Sequence, residues 1–146
     1  MTAREAWLSA GLVFVAALVV RALFASSLRF PTPEDTTYYV GVARNVVEGR
    51  GLVSDAIWSF QTPPLRFPRP AFEVWLPLPS LLALPAMALF GPTFDAAKIP
   101  AVLVGSLVPV LAWRLAADVA EEHGFPVGRA RTLALGTGLT AAVYLP

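Results

Sequence analysis

Ten of the chain's 21 charged residues, six of its 14 prolines and seven aromatic side chains fall between Arg29 and Glu73. The residue types able to do chemistry are therefore concentrated in one stretch. At its start, Thr32-Pro33-Glu34-Asp35 has the order of a capping box, with Thr32 as N-cap and proline at the first helical position. Tyr39, Val42, Ala43 and Val46 follow at spacings of three and four. That pattern predicts a helix near 33–48 with one apolar face, ended by Gly49 and Gly51. Asp35 and Tyr39, four apart, share a face of this helix. A helix N-terminus favours negative charge, so Asp35 is expected to stay ionised, able to act as a general base or to bind a cation. The same acid also has a plainer use, closing the capping box, and the residue types leave both readings open. Asp55 and Glu73 read as structural acids of a loop and a helix start. His123, in Glu121-Glu122-His123-Gly124, reads as a solvated turn residue.

A second cluster runs Thr62-Pro63-Pro64-Leu65-Arg66-Phe67-Pro68-Arg69-Pro70-Ala71-Phe72-Glu73-Val74-Trp75. Arg66 and Arg69 stand among prolines and aromatics, just ahead of an apolar segment. The planar guanidinium fork matches phosphate oxygens and stays charged at a membrane surface, which fits a lipid phosphate. Trp75 suits the headgroup level, where aromatic side chains gather. Ordinary interfacial anchoring by the same three residues is the alternative.

The elements that must position these residues are membrane segments. The apolar set makes up 56% of the 146 residues and charged residues only 14%, against about one quarter in soluble domains. Mean hydropathy is +0.63. Ala6 to Leu28 is apolar apart from Arg21 and is long enough to span a bilayer. Arg21, roughly two turns from its end, can snorkel or face a polar cavity. A cleaved signal peptide is the rival reading of this segment, and Arg21 argues against it. Ala96 to Ala117 is the second span, with a kink expected at Pro109. Thr132 to Leu145 is a partial third. Val74 to Phe90, interrupted by Pro77, Pro79 and Pro85, reads as a juxtamembrane or re-entrant helix. Arg4 before the first span and Arg114, Arg129 and Arg131 around a 118–131 loop place both on the cytoplasmic side, which makes 29–95 external. The expected fold is an all-α, single-domain membrane protein with two full transmembrane helices, a partial third and a long external loop carrying juxtamembrane helices near 33–48 and 74–90.

Several function classes drop out. Net charge is +1, with no polybasic face, so no nucleic-acid partner is expected. With no cysteine there is no disulfide scaffold, thiolate metal site or cysteine nucleophile, and a single histidine argues against a histidine metal site.

The order of the short motifs resembles a known family. A first membrane helix precedes Asp35-Thr36-Thr37-Tyr38-Tyr39. Ala43-Arg44-Asn45 and Gly49-Arg50-Gly51 follow, then Arg69-Pro70, Trp75, a short helix ending in Gly91, and a second membrane helix beginning Ala96-Ala97-Lys98. From about residue 6 to 146, this is similar to the N-terminal part of GT-C class integral-membrane glycosyltransferases, which include the protein O-mannosyltransferases and the aminoarabinose transferases of lipid A. The resemblance implies a sugar carried on a polyprenyl phosphate, and the expected location is a bacterial or archaeal plasma membrane, with the cytoplasmic N-terminus that the arginines indicate. It implies that Asp35, with Glu34 as the fallback, assists attack on the sugar carbon, alone or with a divalent cation. Tyr39, Arg66, Arg69 and Trp75 would bind substrate, with Arg69 on the carrier phosphate. The chain departs from the family where Glu34-Asp35 is followed by threonine, and where Arg69 stands in place of the histidine or lysine of many relatives.

Such enzymes have many membrane helices, so the expectation is an N-terminal portion, inactive alone, whose partners are the donor lipid, membrane lipid and the rest of the enzyme or a partner subunit. The alternative is a small non-catalytic accessory or assembly subunit. A transporter fragment has less in its favour, because no broken helices in matching halves are visible.

Overall fold

A computed structural model describes residues 2–57 and 66–144. The chain divides into two compact units, Met1–Ser27 with Val102–Pro146, and Leu28–Ala101. The fold is mostly helical. Two short strands among the described residues depart from an all-α expectation.

The first unit contains α1 (Ala3–Ser27), α5 (Leu107–Glu122) and α6 (Val127–Val143). α1 starts with a capping box: Thr2 N donates to Glu5 Oε2 at 2.9 Å, and Glu5 N donates to Thr2 Oγ1 at 3.3 Å. Its buried residues are Ser9, Val13 and Ala17, one narrow stripe at spacing four. Trp7, Leu8, Leu12, Val15, Val19 and Leu23 face outward. α6 buries a matching stripe of small residues, Ala134, Gly138 and Ala142. A Cβ on Gly138 would stand 2.8 Å from Trp113 Cβ and 3.0 Å from Val13 Cγ2, so only glycine admits this closeness. Small residues of this kind let helices meet backbone to backbone. Arg131 Nη1 lies 3.5 Å from Glu5 Oε1, which brings the starts of α1 and α6 to one end of the unit.

Two segments, Ala3–Ser27 and Phe94–Glu122, are long and apolar enough to cross a bilayer. In each, only 17% of the most apolar window is buried within the chain, unlike the core helix of a soluble protein. The second is broken: α4 (Phe94–Gly105) ends before Ser106, and α5 begins at Leu107. The expected kink at Pro109 thus falls a turn earlier. Proline has no N–H for the carbonyl four residues back, Gly105, and its ring crowds that position. At the break Ser106 gives Val102 O both its N–H, at 3.1 Å, and its Oγ, at 2.6 Å, a back-bond that bends helices. The expected 118–131 loop shrinks to 123–126. Asp118, Glu121 and Glu122 continue α5, while Arg129 and Arg131 belong to α6. Arg114 and Asp118, an i,i+4 pair 2.7 Å apart, help α5 to continue. α6 has 17 residues, about 25 Å at about 1.5 Å each, against a hydrocarbon core of about 30 Å.

The second unit contains α2 (Glu34–Val47), β1 (Val53–Ser54), β2 (Arg69–Pro70) and α3 (Leu78–Phe90). Val40 and Ala43 of α2 pack with Ala83 and Met87 of α3 and with Ala96 and Ala97 of α4. The strands pair antiparallel, Val53 opposite Pro70 and Ser54 opposite Arg69. α3 begins later than the sequence pattern implied. Pro77 is its N-cap and Pro79 falls in the first turn, where a missing N–H costs nothing, so Val74 and Trp75 precede the helix.

Candidate functional site

α2 positions the acidic residues. It starts one residue later than the sequence pattern implied, because Pro33 is the N-cap and no side chain caps the end. The Pro33 carbonyl accepts from Thr36 N at 3.0 Å and Thr37 N at 3.3 Å. Thr32 therefore does not cap, and the capping-box role for Asp35 fails with it. Thr37 Oγ1 donates instead to Pro31 O at 2.9 Å. Glu34 is exposed and Asp35 half-buried. Neither carboxylate makes a hydrogen bond or ion pair among the described residues. Asp35 thus sits at the positive end of the helix dipole with its oxygens uncommitted.

The tyrosine pair divides its work. Tyr38 is buried, and its Oη accepts a hydrogen bond from Phe72 N at 2.7 Å. Phe72 has φ +66°, the single non-glycine residue with positive φ among those described. Tyr39 is half-buried, its ring edge-on to Tyr38 with centroids 5.6 Å apart, and its carbonyl accepts from Ser80 Oγ at 3.1 Å. The acidic helix start is in this way fastened to both the Arg69–Phe72 segment and α3.

The far end of α2 is fixed by Asn45, which is 1% exposed. Its Nδ2 donates to Val53 O at 2.9 Å and Asp55 Oδ2 at 3.0 Å. Asp55 also pairs with Arg50 at 3.0 Å, and Arg50 with Glu48 at 2.8 Å. Glu48, and then Asp55, hold the exposed Arg50 guanidinium above its ordinary pKa. Gly49, with φ +78°, turns the chain, and Arg50 N reaches back to Asn45 O at 2.8 Å. This is the left-handed cap that only glycine adopts without strain.

Of the basic cluster, Arg69 is engaged: its Nε donates to Glu73 Oε2 at 2.7 Å and its Nη2 pairs with the same oxygen. Arg66 is exposed and has no ion pair among the described residues. Trp75 is half-buried. Thr62 to Leu65, with Trp58 and Phe60, lie outside the described residues. His123 caps the end of α5, exposed, with Nδ1 2.9 Å from Val119 O.

Sequence reading missed Asn45 as the tie between α2 and β1, and Tyr38 rather than Tyr39 as the anchoring hydroxyl. An amide on the buried face of an amphipathic helix was the available signal for Asn45. Glu73, four residues after Arg69, was the signal for that ion pair. Among the described residues no group of three or more histidine or acidic side chains is arranged to hold a metal ion. A cation at Asp35 would take its other ligands from substrate or water. In comparisons with known proteins the chain matches no family model, no curated protein and no solved structure.

Proposed function

We propose that this chain is the N-terminal portion of a membrane glycosyltransferase that moves a sugar from a polyprenyl-phosphate carrier to an acceptor at the external face. The observation that carries this reading is the hydrogen bond from Phe72 N to Tyr38 Oη, 2.7 Å long. It fastens a free, half-buried carboxylate at a helix start to a basic and aromatic segment more than 30 residues away. Glycosyl transfer from a phosphate requires a carboxylate and a phosphate-binding group carried on one scaffold. The acceptor oxygen forms a bond to the sugar carbon as the bond to carrier phosphate breaks. Asp35 takes the acceptor's proton, and a cation orients the pair if one is bound. Asp35 fits better than Glu34 because it is partly shielded from water. Arg66 meets the carrier phosphate, and Arg69, held by Glu73, shapes the segment with Trp75.

Ala3–Ser27 and Phe94–Glu122 anchor the chain in the plasma membrane. Arg4, Arg129 and Arg131 lie on the cytoplasmic side, and the second unit outside. The test is Asp35→Asn in the protein in its own membranes, assayed for transfer from a polyprenyl-phosphate sugar. Transfer falls by at least 100-fold, on the scale of a lost general base, with membrane insertion unchanged. Unchanged transfer removes Asp35 from the mechanism.

The Arg69–Glu73 pair favours a second reading, a non-catalytic membrane subunit that grips a partner, since it occupies the arginine next to the proline. On that reading Asp35→Asn leaves function intact and the chain isolates with a larger membrane protein.

A further inference from the structure

Arg21 is the charged residue in the apolar stretch of α1, and the glycosyl-transfer reading does not use it. Its side chain is half-buried. Nη1 donates to Ala142 O in the last turn of α6 at 3.1 Å. Its stem runs beside Gly105, where a Cβ would stand 3.3 Å from Nε and 3.5 Å from Cδ. Gly105 is the last residue of α4 before the break at Ser106. Three features therefore meet at one level of the first unit: the guanidinium, the broken helix and the end of α6.

Two of these features account for part of the charge. The carbonyls of a helix's last turn lack intrahelical donors and carry its negative dipole end, so Arg21 at Ala142 O is well placed. A guanidinium has five N–H groups, however, and a carbonyl dipole is not a counter-ion. Arg21 makes no ion pair among the described residues. A charge in a membrane segment is costly unless paired, and such residues mark ligand positions.

Depth points to the ligand. α1 has 25 residues, about 37 Å of helix, so it exceeds a hydrocarbon core of about 30 Å at both ends. Arg21, six residues before Ser27, then lies about 5 Å inside the boundary, within reach of a snorkelling arginine. It lies toward the end of the unit opposite Glu5 and Arg131. We infer that Arg21 binds the phosphate of a membrane lipid, its fork of free donors taking two phosphate oxygens while Nη1 keeps α6 in place. This rests on the membrane reading of α1 but not on glycosyl transfer.

The test uses the full chain in a maltoside detergent, which has no phosphate of its own. Dioctanoyl phosphatidylglycerol and inorganic phosphate are titrated separately, and bound molecules are counted by native mass spectrometry. Arg21→Gln removes the charge and keeps an N–H donor, on a shorter side chain. The wild type saturates with one lipid and Arg21→Gln binds it at least tenfold more weakly, while protease resistance of α6 is the same in both. Arg21→Lys, which keeps charge without the fork, falls between them and serves as the readout if Arg21→Gln does not fold. Equal lipid binding by wild type and variants overturns the proposal. Saturation by inorganic phosphate alone overturns the lipid assignment and leaves a free-phosphate site. Alkaline extraction of membranes separates the two premises: a chain released by it contradicts the membrane reading, and a retained chain with no lipid preference contradicts the role of Arg21.

Discussion

The two units are held together by opposite means. In the first, small residues at spacing four let helices touch, and polar bonds cluster at its ends, at Glu5–Arg131 and Arg21–Ala142. In the second, apolar packing between α2 and α3 is supplemented by buried polar ties from Tyr38, Asn45 and Ser80. The difference follows from surroundings. A unit whose outer surface is Leu, Val and Phe gains little by burying more of them, so shape complementarity decides its packing. A unit of short, irregular segments needs polar ties to satisfy and fix its backbone.

The largest expected effect comes from filling the tightest contact. Gly138→Leu forces side-chain atoms where Trp113 and Val13 already sit, and costs the first unit about 3 kcal/mol. Hydrogen exchange in detergent should then accelerate in α1, α5 and α6 and not in α2. Acceleration in both units alike would break the distinction. Asn45→Ala removes two partly buried hydrogen bonds and should destabilise the second unit by about 2 kcal/mol, read as faster exchange in α2 and β1. Tyr38→Phe removes one acceptor and should cost about 1 kcal/mol, loosening the amide of Phe72 first. The smallest effect belongs to Glu73→Gln. Its pair with Arg69 is partly exposed, so stability should change by less than about 1 kcal/mol. On the accessory reading this variant weakens partner capture. On the transferase reading it changes the donor KM and leaves partner capture alone.

How far the sequence was legible varied with the kind of signal. The α1 segment could be read from the length of its apolar run, and the helix around Tyr39 to Val46 from periodicity, because burial on one side of a helix leaves a pattern in residue type. The helix starts could not. Thr2-x-x-Glu5 and Thr32-x-x-Asp35 both have capping-box order, yet only the first forms one. Proline after Thr32 supplies the first accepting carbonyl itself and moves the start along by one residue, information the motif does not contain. Pro109 was legible as a disturbance, but its effect lies at the carbonyl four residues earlier. Asn45, Tyr38 and the partner of Arg21 depend on contacts between residues far apart in the chain, and periodicity carries no trace of those.

Asp35 is proposed as the catalytic base, and its neighbour Glu34 provides the most direct check. The two acids are adjacent, both free of partners among the described residues, and differ in exposure. Sugar transfer from a polyprenyl-phosphate donor should be measured for wild type, Glu34→Gln and Asp35→Asn in the same membranes at equal protein levels. Near wild-type transfer is expected for Glu34→Gln and a loss of at least 100-fold for Asp35→Asn, the scale of a general base. Loss in Glu34→Gln with activity kept in Asp35→Asn, or full activity in both, would contradict that role.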